Sequence, residues 1–122
     1  MPFFMHQVSY TPEALARLIA NPQDRGEAVR GPIEKLGGTV KDVYFAFGQH
    51  DVVMITEMPD SVSAAAIAMA FAAGGAVRNS QTTALMSTAE AMDAMRKAAT
   101  CGYKPVTAAA SGAAAPRSQT AT

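Results

Sequence analysis

Four segments of the chain are rich in apolar, β-branched and aromatic residues, which predicts β-strands. They cover residues 3–10, 40–47, 52–58 and 76–86. Successive side chains of a strand point to opposite faces of the sheet. In the first three segments both faces are apolar; in the first, for example, Phe3 and Met5 oppose Phe4 and Val8. A sheet made of these strands therefore needs cover on both sides.

Between the first two strands, the apolar residues change to helical spacing. Thr11 followed by Pro12 is typical of a helix N-cap and first turn. A second helical stretch begins at about residue 23, and Gly37-Gly38 predicts its end. Its apolar stripe consists of Val29, Ile33 and Leu36. Both stretches can therefore pack an apolar side against the sheet.

Two more helices are predicted, one after the third strand and one after the fourth. Asp60 predicts the N-cap of an alanine-rich helix over residues 61–73. Residues 87–90 read Ser-Thr-Ala-Glu, a capping box that predicts a last helix to about residue 99, with Met92 and Met95 facing inward. The order is βαββαβ with an extra C-terminal helix. This order predicts an α+β, ferredoxin-like fold with an antiparallel sheet.

The helices of such a fold lie on one face of the sheet, so the other face would be uncovered in a single subunit. Soluble proteins rarely expose many apolar side chains together. We therefore expect a homo-oligomer, either a face-to-face dimer like the dimeric α/β-barrels or a ring trimer. The alternative is that the C-terminal helix folds back over this face.

The composition of the sequence predicts the extent of the folded domain and its cellular compartment. Residues 1–105 are expected to form one domain, and residues 106–122, rich in Ala, Ser and Thr, are expected to be a disordered tail. The chain has a single cysteine, Cys101, which fits a reducing compartment. Its N-terminal residues lack the positively charged leader of a secretory signal. We therefore expect a cytoplasmic protein.

The distribution of charged and apolar residues argues against nucleic acid and membranes as partners. Ten basic residues balance ten acidic ones, so no basic surface for nucleic acid is expected. Between Asp60 and Arg78 there is no charged residue, but this run is alanine-rich and contains Gly74-Gly75. It is also shorter than the roughly 20 apolar residues that cross a bilayer. We expect neither nucleic acid nor membrane as a partner.

Several short segments together resemble the GYD domain family. They are Leu36-Gly37-Gly38, Phe47-Gly48-Gln49-His50-Asp51-Val52-Val53, Glu57-Met58-Pro59-Asp60, and Gly75-Ala76-Val77-Arg78 with Thr82-Thr83. The resemblance covers roughly residues 2–86. Gly48 and Asp51 match the motif that names the family, whereas His50 stands where the family usually has tyrosine. The resemblance implies a ferredoxin-like domain related in architecture to dimeric α/β-barrel proteins, and it adds little chemistry.

The predicted turn between the second and third strands contains two candidate catalytic residues. Asp51 is either an acceptor of backbone N–H bonds in the turn or a general base at the mouth of a pocket. His50 is either a solvent-exposed bystander or an acid–base group, since histidine has an ordinary pKa of about 6.5. His6 on the first strand is either a hydrogen-bonded core residue or a third candidate. The spacing of these residues is not that of a metal motif, so no metal is expected.

Polar side chains in the otherwise apolar strands are candidate ligand-binding residues. They are Tyr44, Arg78 and Asn79, with Gln81 nearby. A small acid or phenol in a cleft could bind Arg78 and Tyr44. The simpler interpretation is that Arg78 pairs with Asp60 or with a carboxylate at a subunit interface.

The chain contains no phosphate-binding loop, activated nucleophile or cofactor motif, so no cofactor is expected. We favour an oligomeric, non-catalytic module that binds a small ligand or has a regulatory role. The alternative is a small cofactor-independent enzyme, an isomerase, lyase or oxygenase, that acts on a small acid such as an aromatic one. A third hypothesis is a structural oligomer whose tail recruits other proteins.

Overall fold

The computed structural model describes residues 1–106. Residues 107–122, which make up nearly all of the predicted tail, lie outside the described residues. The chain divides into two units, Met1–Met86 and a second unit that begins at Ser87. Each unit is described by itself below.

Four strands and three helices make up the first unit. They are β1 (Phe3–Tyr10), α1 (Pro12–Ala20), α2 (Arg25–Lys35), β2 (Thr39–Phe45), β3 (Val52–Glu57), α3 (Ser61–Ala73) and β4 (Val77–Leu85). The strands form one sheet in the order β2-β3-β1-β4, and all neighbours are antiparallel. This arrangement confirms the predicted ferredoxin-like α+β class.

The predicted helix caps are confirmed. Thr11 and Asp60 accept backbone N–H bonds from the first turns of α1 and α3, at 3.1 and 2.8 Å. After α2, Gly37 adopts the left-handed conformation with a φ of 86°, which glycine reaches without steric cost. The N–H of Gly38 then donates to the carbonyl oxygen of Ile33 at 3.0 Å. These contacts end α2 immediately before β2.

The core lies between the helices and one face of the sheet. One cluster contains Phe4, Ile33, Val40, Met54, Met58, Ala64 and Ile67. A second contains Val8, Tyr10, Ala14 and Val52. The members of both clusters that lie on β1 and β3 occupy alternate positions of these strands, as the predicted pleat requires. This first face is therefore the one that the helices cover.

The second face of the sheet carries the remaining strand side chains. Met5 at its centre lies between Ile55 of β3 and Thr83 of β4. Towards two edges of this face, Tyr44 is 62% exposed and Leu85 36% exposed. Both faces of the sheet therefore carry apolar side chains, as the sequence predicts.

The connection between β2 and β3 is wider than predicted. The sequence predicts a tight turn over residues 48–51, but β2 ends at Phe45 and the connection spans residues 46–51. A hydrogen bond of 2.9 Å from the N–H of Ala46 to the carbonyl oxygen of Asp51 closes it. The loop therefore closes before the predicted turn begins, and Phe47 is fully exposed.

The described part of the second unit contains one helix, α4 (Thr88–Ala98). Its predicted capping box is confirmed: Ser87 and Glu90 exchange side chain–backbone hydrogen bonds of 2.8 and 3.1 Å. The prediction that Met92 and Met95 face inward is wrong, because they are 50% and 67% exposed. The described residues of this unit contain no second element that could cover them. Along residues 1–106, no helix combines the length and the apolar character that crossing a bilayer requires.

Candidate functional site

A cavity of about 220 Å³ is lined by residues of all four strands and of α2 and α3. Most of its wall is apolar, with Val8, Val29, Val43, Val52, Met54 and Phe71 among the lining residues. Three lining residues have polar side chains: His6, Tyr10 and Arg25. An apolar cavity with a few polar groups is the usual form of a small-molecule site.

His6 is fixed in the wall of the cavity by two threonine hydroxyls. Its Nε2 lies 2.9 Å from Oγ1 of Thr56 on β3, and its Nδ1 lies 3.2 Å from Oγ1 of Thr82 on β4. The ring of Phe71 meets the imidazole edge-on, with centroids 6.4 Å apart. Both ring nitrogens are therefore engaged. This geometry is that of a hydrogen-bonded core histidine, one of the two interpretations of the sequence.

Burial lowers the pKa of His6. The unfolded chain, with a histidine pKa of about 6.5, then binds a proton more readily than the folded one, so stability is complete above that pH and falls as the pH falls. We expect the stability advantage of the wild type over His6→Gln to shrink between pH 7 and pH 5, by at most about 1.4 kcal/mol per pH unit. Urea unfolding of both proteins at several pH values measures this. If the difference in unfolding free energy between the two proteins stays constant across this pH range, the prediction is wrong. His50 is present in both proteins, so it does not contribute to the difference.

Tyr10 and Arg25 lie together at the cavity. Tyr10 ends β1 and is buried, and this burial raises the pKa of its hydroxyl. The Arg25 guanidinium lies close enough to that hydroxyl to lower the pKa in opposition. Arg25 is the first residue of α2 and its Nη1 donates to Oε1 of Gln23 at 3.1 Å. The sequence does not indicate that Tyr10 and Arg25 belong to a common site. Arg25 in particular stands in a charged stretch that is typical of a solvated helix face.

Asp51 holds the end of β1 in place. Its carboxylate accepts the N–H of Tyr10 at 2.8 Å, and its own N–H donates to the carbonyl oxygen of Val8 at 2.8 Å. Asp51 therefore accepts a backbone N–H bond, as the structural interpretation expects, but the donor lies on β1 and not in the turn. Asp51 touches the backbone of a cavity residue, but it does not line the cavity itself.

His50 is not the solvent-exposed bystander that one interpretation expected. It is 9% exposed, although it lies in the connection that precedes β3. Its Nε2 is buried without a hydrogen-bond partner among residues 1–106, and it does not line the cavity. The structure therefore does not bring His6, His50 and Asp51 into one site. Within the described part of the chain, no group of three or more His, Cys, Asp or Glu residues could hold a metal ion.

The predicted ligand-binding residues lie far apart. Tyr44 is on β2, whereas Arg78 and Asn79 are on β4, and these strands form the two opposite edges of the sheet. One subunit therefore does not place Tyr44 and Arg78 in a common cleft. Arg78 donates from Nε to the carbonyl oxygen of Tyr10 at 3.2 Å, and in the described region the expected ion pair with Asp60 does not form.

Comparison with known proteins identifies the family to which the chain belongs. No curated protein and no solved structure matches the chain significantly. The sequence model of the GYD domain matches residues 4–95, a range that contains every residue lining the cavity. Since this match spans well over half of the sequence, the chain belongs to the GYD domain family.

Proposed function

We propose that the protein is a small-ligand-binding module and that its ligand occupies the cavity at His6. The apolar cavity with three polar side chains in its lining is the observation that carries this proposal. Its volume of about 220 Å³ is below the roughly 300–1,000 Å³ of sites for drug-sized molecules. It exceeds the roughly 150 Å³ of an engineered cavity that binds benzene. A single ring with a short substituent therefore fits.

The contacts of His6 favour binding over acid–base catalysis. A neutral imidazole has one N–H donor and one acceptor nitrogen, and the hydroxyls of Thr56 and Thr82 occupy both. While these bonds hold, neither nitrogen is available to take a proton from a ligand. His6 thus serves as a fixed part of the wall.

One observation favours the second candidate function, a small cofactor-independent enzyme. Two titratable groups, His6 and Tyr10, line the same apolar cavity, and burial shifts the pKa of each. Shifted groups that share a cavity are common at catalytic sites. Turnover of a bound compound that is lost in His6→Gln, with binding retained, would favour this candidate over the first.

Filling the cavity tests the binding proposal. Ala70 on α3 lines the cavity and is exposed, so Ala70→Trp places an indole there without replacing a core residue. We expect benzyl alcohol, followed by amide chemical shifts in NMR, to bind the wild type with saturable shifts around His6. We expect Ala70→Trp to weaken this binding by about tenfold or more, equivalent to 1.4 kcal/mol.

Ala65→Trp is the matched control, because Ala65 lies on the same helix, is exposed and does not line the cavity. It should bind benzyl alcohol as the wild type does. The proposal fails if benzyl alcohol, phenylacetamide and phenylacetate all leave the cavity residues unshifted. It also fails if both tryptophan variants bind like the wild type.

We also propose that the second face of the sheet joins two or more copies of the chain in the cytoplasm. The centre of this face is mostly apolar, with Met5, Val53 and Ile55 beside one polar residue, Gln7, while Asp42 and Gln81 lie nearer its edges. An apolar centre with a polar rim is the usual composition of an interface between subunits. The single cysteine, Cys101, is free and exposed, which supports a reducing compartment.

A further inference from the structure

We infer that the cavity binds a small monocarboxylic acid with one ring, and that Arg25 and Tyr10 bind its carboxylate. This inference rests on the proposed function, and it names the chemical class of the ligand. It replaces the anchor pair expected from the sequence, Arg78 and Tyr44, with two residues that the fold brings together.

Arg25 gives the cavity its charge. Among the described residues that line the cavity, it is the one with a permanent charge. It is half-buried, and over residues 1–106 no carboxylate forms an ion pair with it. A charge that is partly removed from water is costly without a counter-charge. The Asp51 carboxylate lies close enough to the Tyr10 hydroxyl to raise its pKa, but it forms no ion pair with Arg25. An anionic ligand would supply the paired counter-charge that the described residues do not.

The donors at this end of the cavity fit one carboxylate. A guanidinium has five N–H donors in a planar fork that matches the two oxygens of a carboxylate, and Gln23 accepts from only one of its nitrogens. The Tyr10 hydroxyl lies close to the guanidinium, and burial raises its pKa. A phenol hydroxyl is a hydrogen-bond donor. One guanidinium balances one negative charge, which favours a monoanion over a phosphate ester.

The rest of the cavity fits an aromatic or similar ring. The rings of Phe71 and His6 stand at 85° to each other in its wall. Apart from Arg25 and Tyr10, the other lining residues are apolar. Aromatic side chains in this edge-to-face arrangement offer both faces and edges to a third ring. The carboxylate end and the ring end of the ligand therefore have separate partners.

Comparison of phenylacetate with its uncharged analogue phenylacetamide tests this inference. Calorimetric titration of the full-length protein should show phenylacetate binding about tenfold or more tightly, since a charge-assisted bidentate pair is lost in the amide. Arg25→Gln should remove most of this preference, with the affinity for phenylacetamide unchanged within about threefold. Tyr10→Phe should reduce the same preference by a smaller factor.

Arg30→Gln is the matched control, because Arg30 lies on the same helix, pairs with Glu27 and does not line the cavity. It changes the net charge equally and should keep the preference for phenylacetate. Equal affinity of the wild type for the two compounds would overturn the inference and leave the binding function intact. If Arg25→Gln and Arg30→Gln lose the preference for phenylacetate equally, the inference is overturned as well, because the effect would then depend on the overall charge of the protein. If neither phenylacetate nor phenylacetamide binds and benzyl alcohol also fails to bind, the proposed function itself is wrong.

Discussion

Replacement of Ile33 by alanine is expected to lower the free energy of unfolding by about 2–5 kcal/mol, the usual loss for a fully buried isoleucine. Ile33 is 0% exposed and lies in the main core cluster between α2 and the sheet. The substitution removes three methyl or methylene carbons from a site where the surrounding residues can collapse only in part. Urea unfolding at one fixed protein concentration measures the loss, because self-association would make stability depend on concentration.

Ile19→Ala is the matched control for this change. Ile19 lies on α1 and is 75% exposed, so the same atoms are removed with little loss of packing. Its effect should stay within about 0.5 kcal/mol. Similar losses in the two variants would show that α2 does not pack on the sheet as described.

Introduction of a charge at the centre of the second face is expected to separate the proposed oligomer into subunits of 12.7 kDa. Ile55→Glu places a carboxylate between Met5 and Asp42, where a second copy would have to bury it beside a like charge. An unpaired buried charge costs several kcal/mol, which corresponds to a loss of more than about a hundredfold in association. Sedimentation equilibrium at micromolar concentration measures the mass.

Two further variants make this result specific. Tyr44→Glu changes a more exposed position of the same face and should dissociate the oligomer with less risk to folding. Val62→Lys changes an apolar residue of α3 that is 78% exposed, and it should leave the mass unchanged. A wild-type protein that sediments as a single subunit would contradict the proposed self-association.

Local signals in the sequence were sufficient to define the helices and the fold class. Asp60 and Gly74 bracket α3 at the predicted residues, because capping depends on side chains within one turn. The alternation in β1 placed His6 on the buried face together with Phe4 and Val8. A period of two fixes which side chains share a face, whatever the rest of the fold does.

The residues that line the cavity could not be predicted from such local signals. Arg25 meets Tyr10 only because the first turn of α2 lies over the end of β1, and no short-range pattern specifies that contact. The partners of His6, Thr56 and Thr82, depend on strand order and register, which join residues 50 and 76 positions apart. Likewise, the sequence left Asp51 either an acceptor in the turn or a general base, because its actual backbone partner, the N–H of Tyr10, lies 41 positions away.

The side chains of Thr56, His6 and Thr82 form a chain of contacts across three adjacent strands, β3, β1 and β4. An edge strand usually frays first, since only one neighbour holds its backbone. Here β4 cannot leave the sheet without also releasing an imidazole whose other nitrogen holds β3. Amide protons of the three strands should therefore exchange with solvent as one cooperative group, and the β4 edge of the sheet should be nearly as slow to open as its middle.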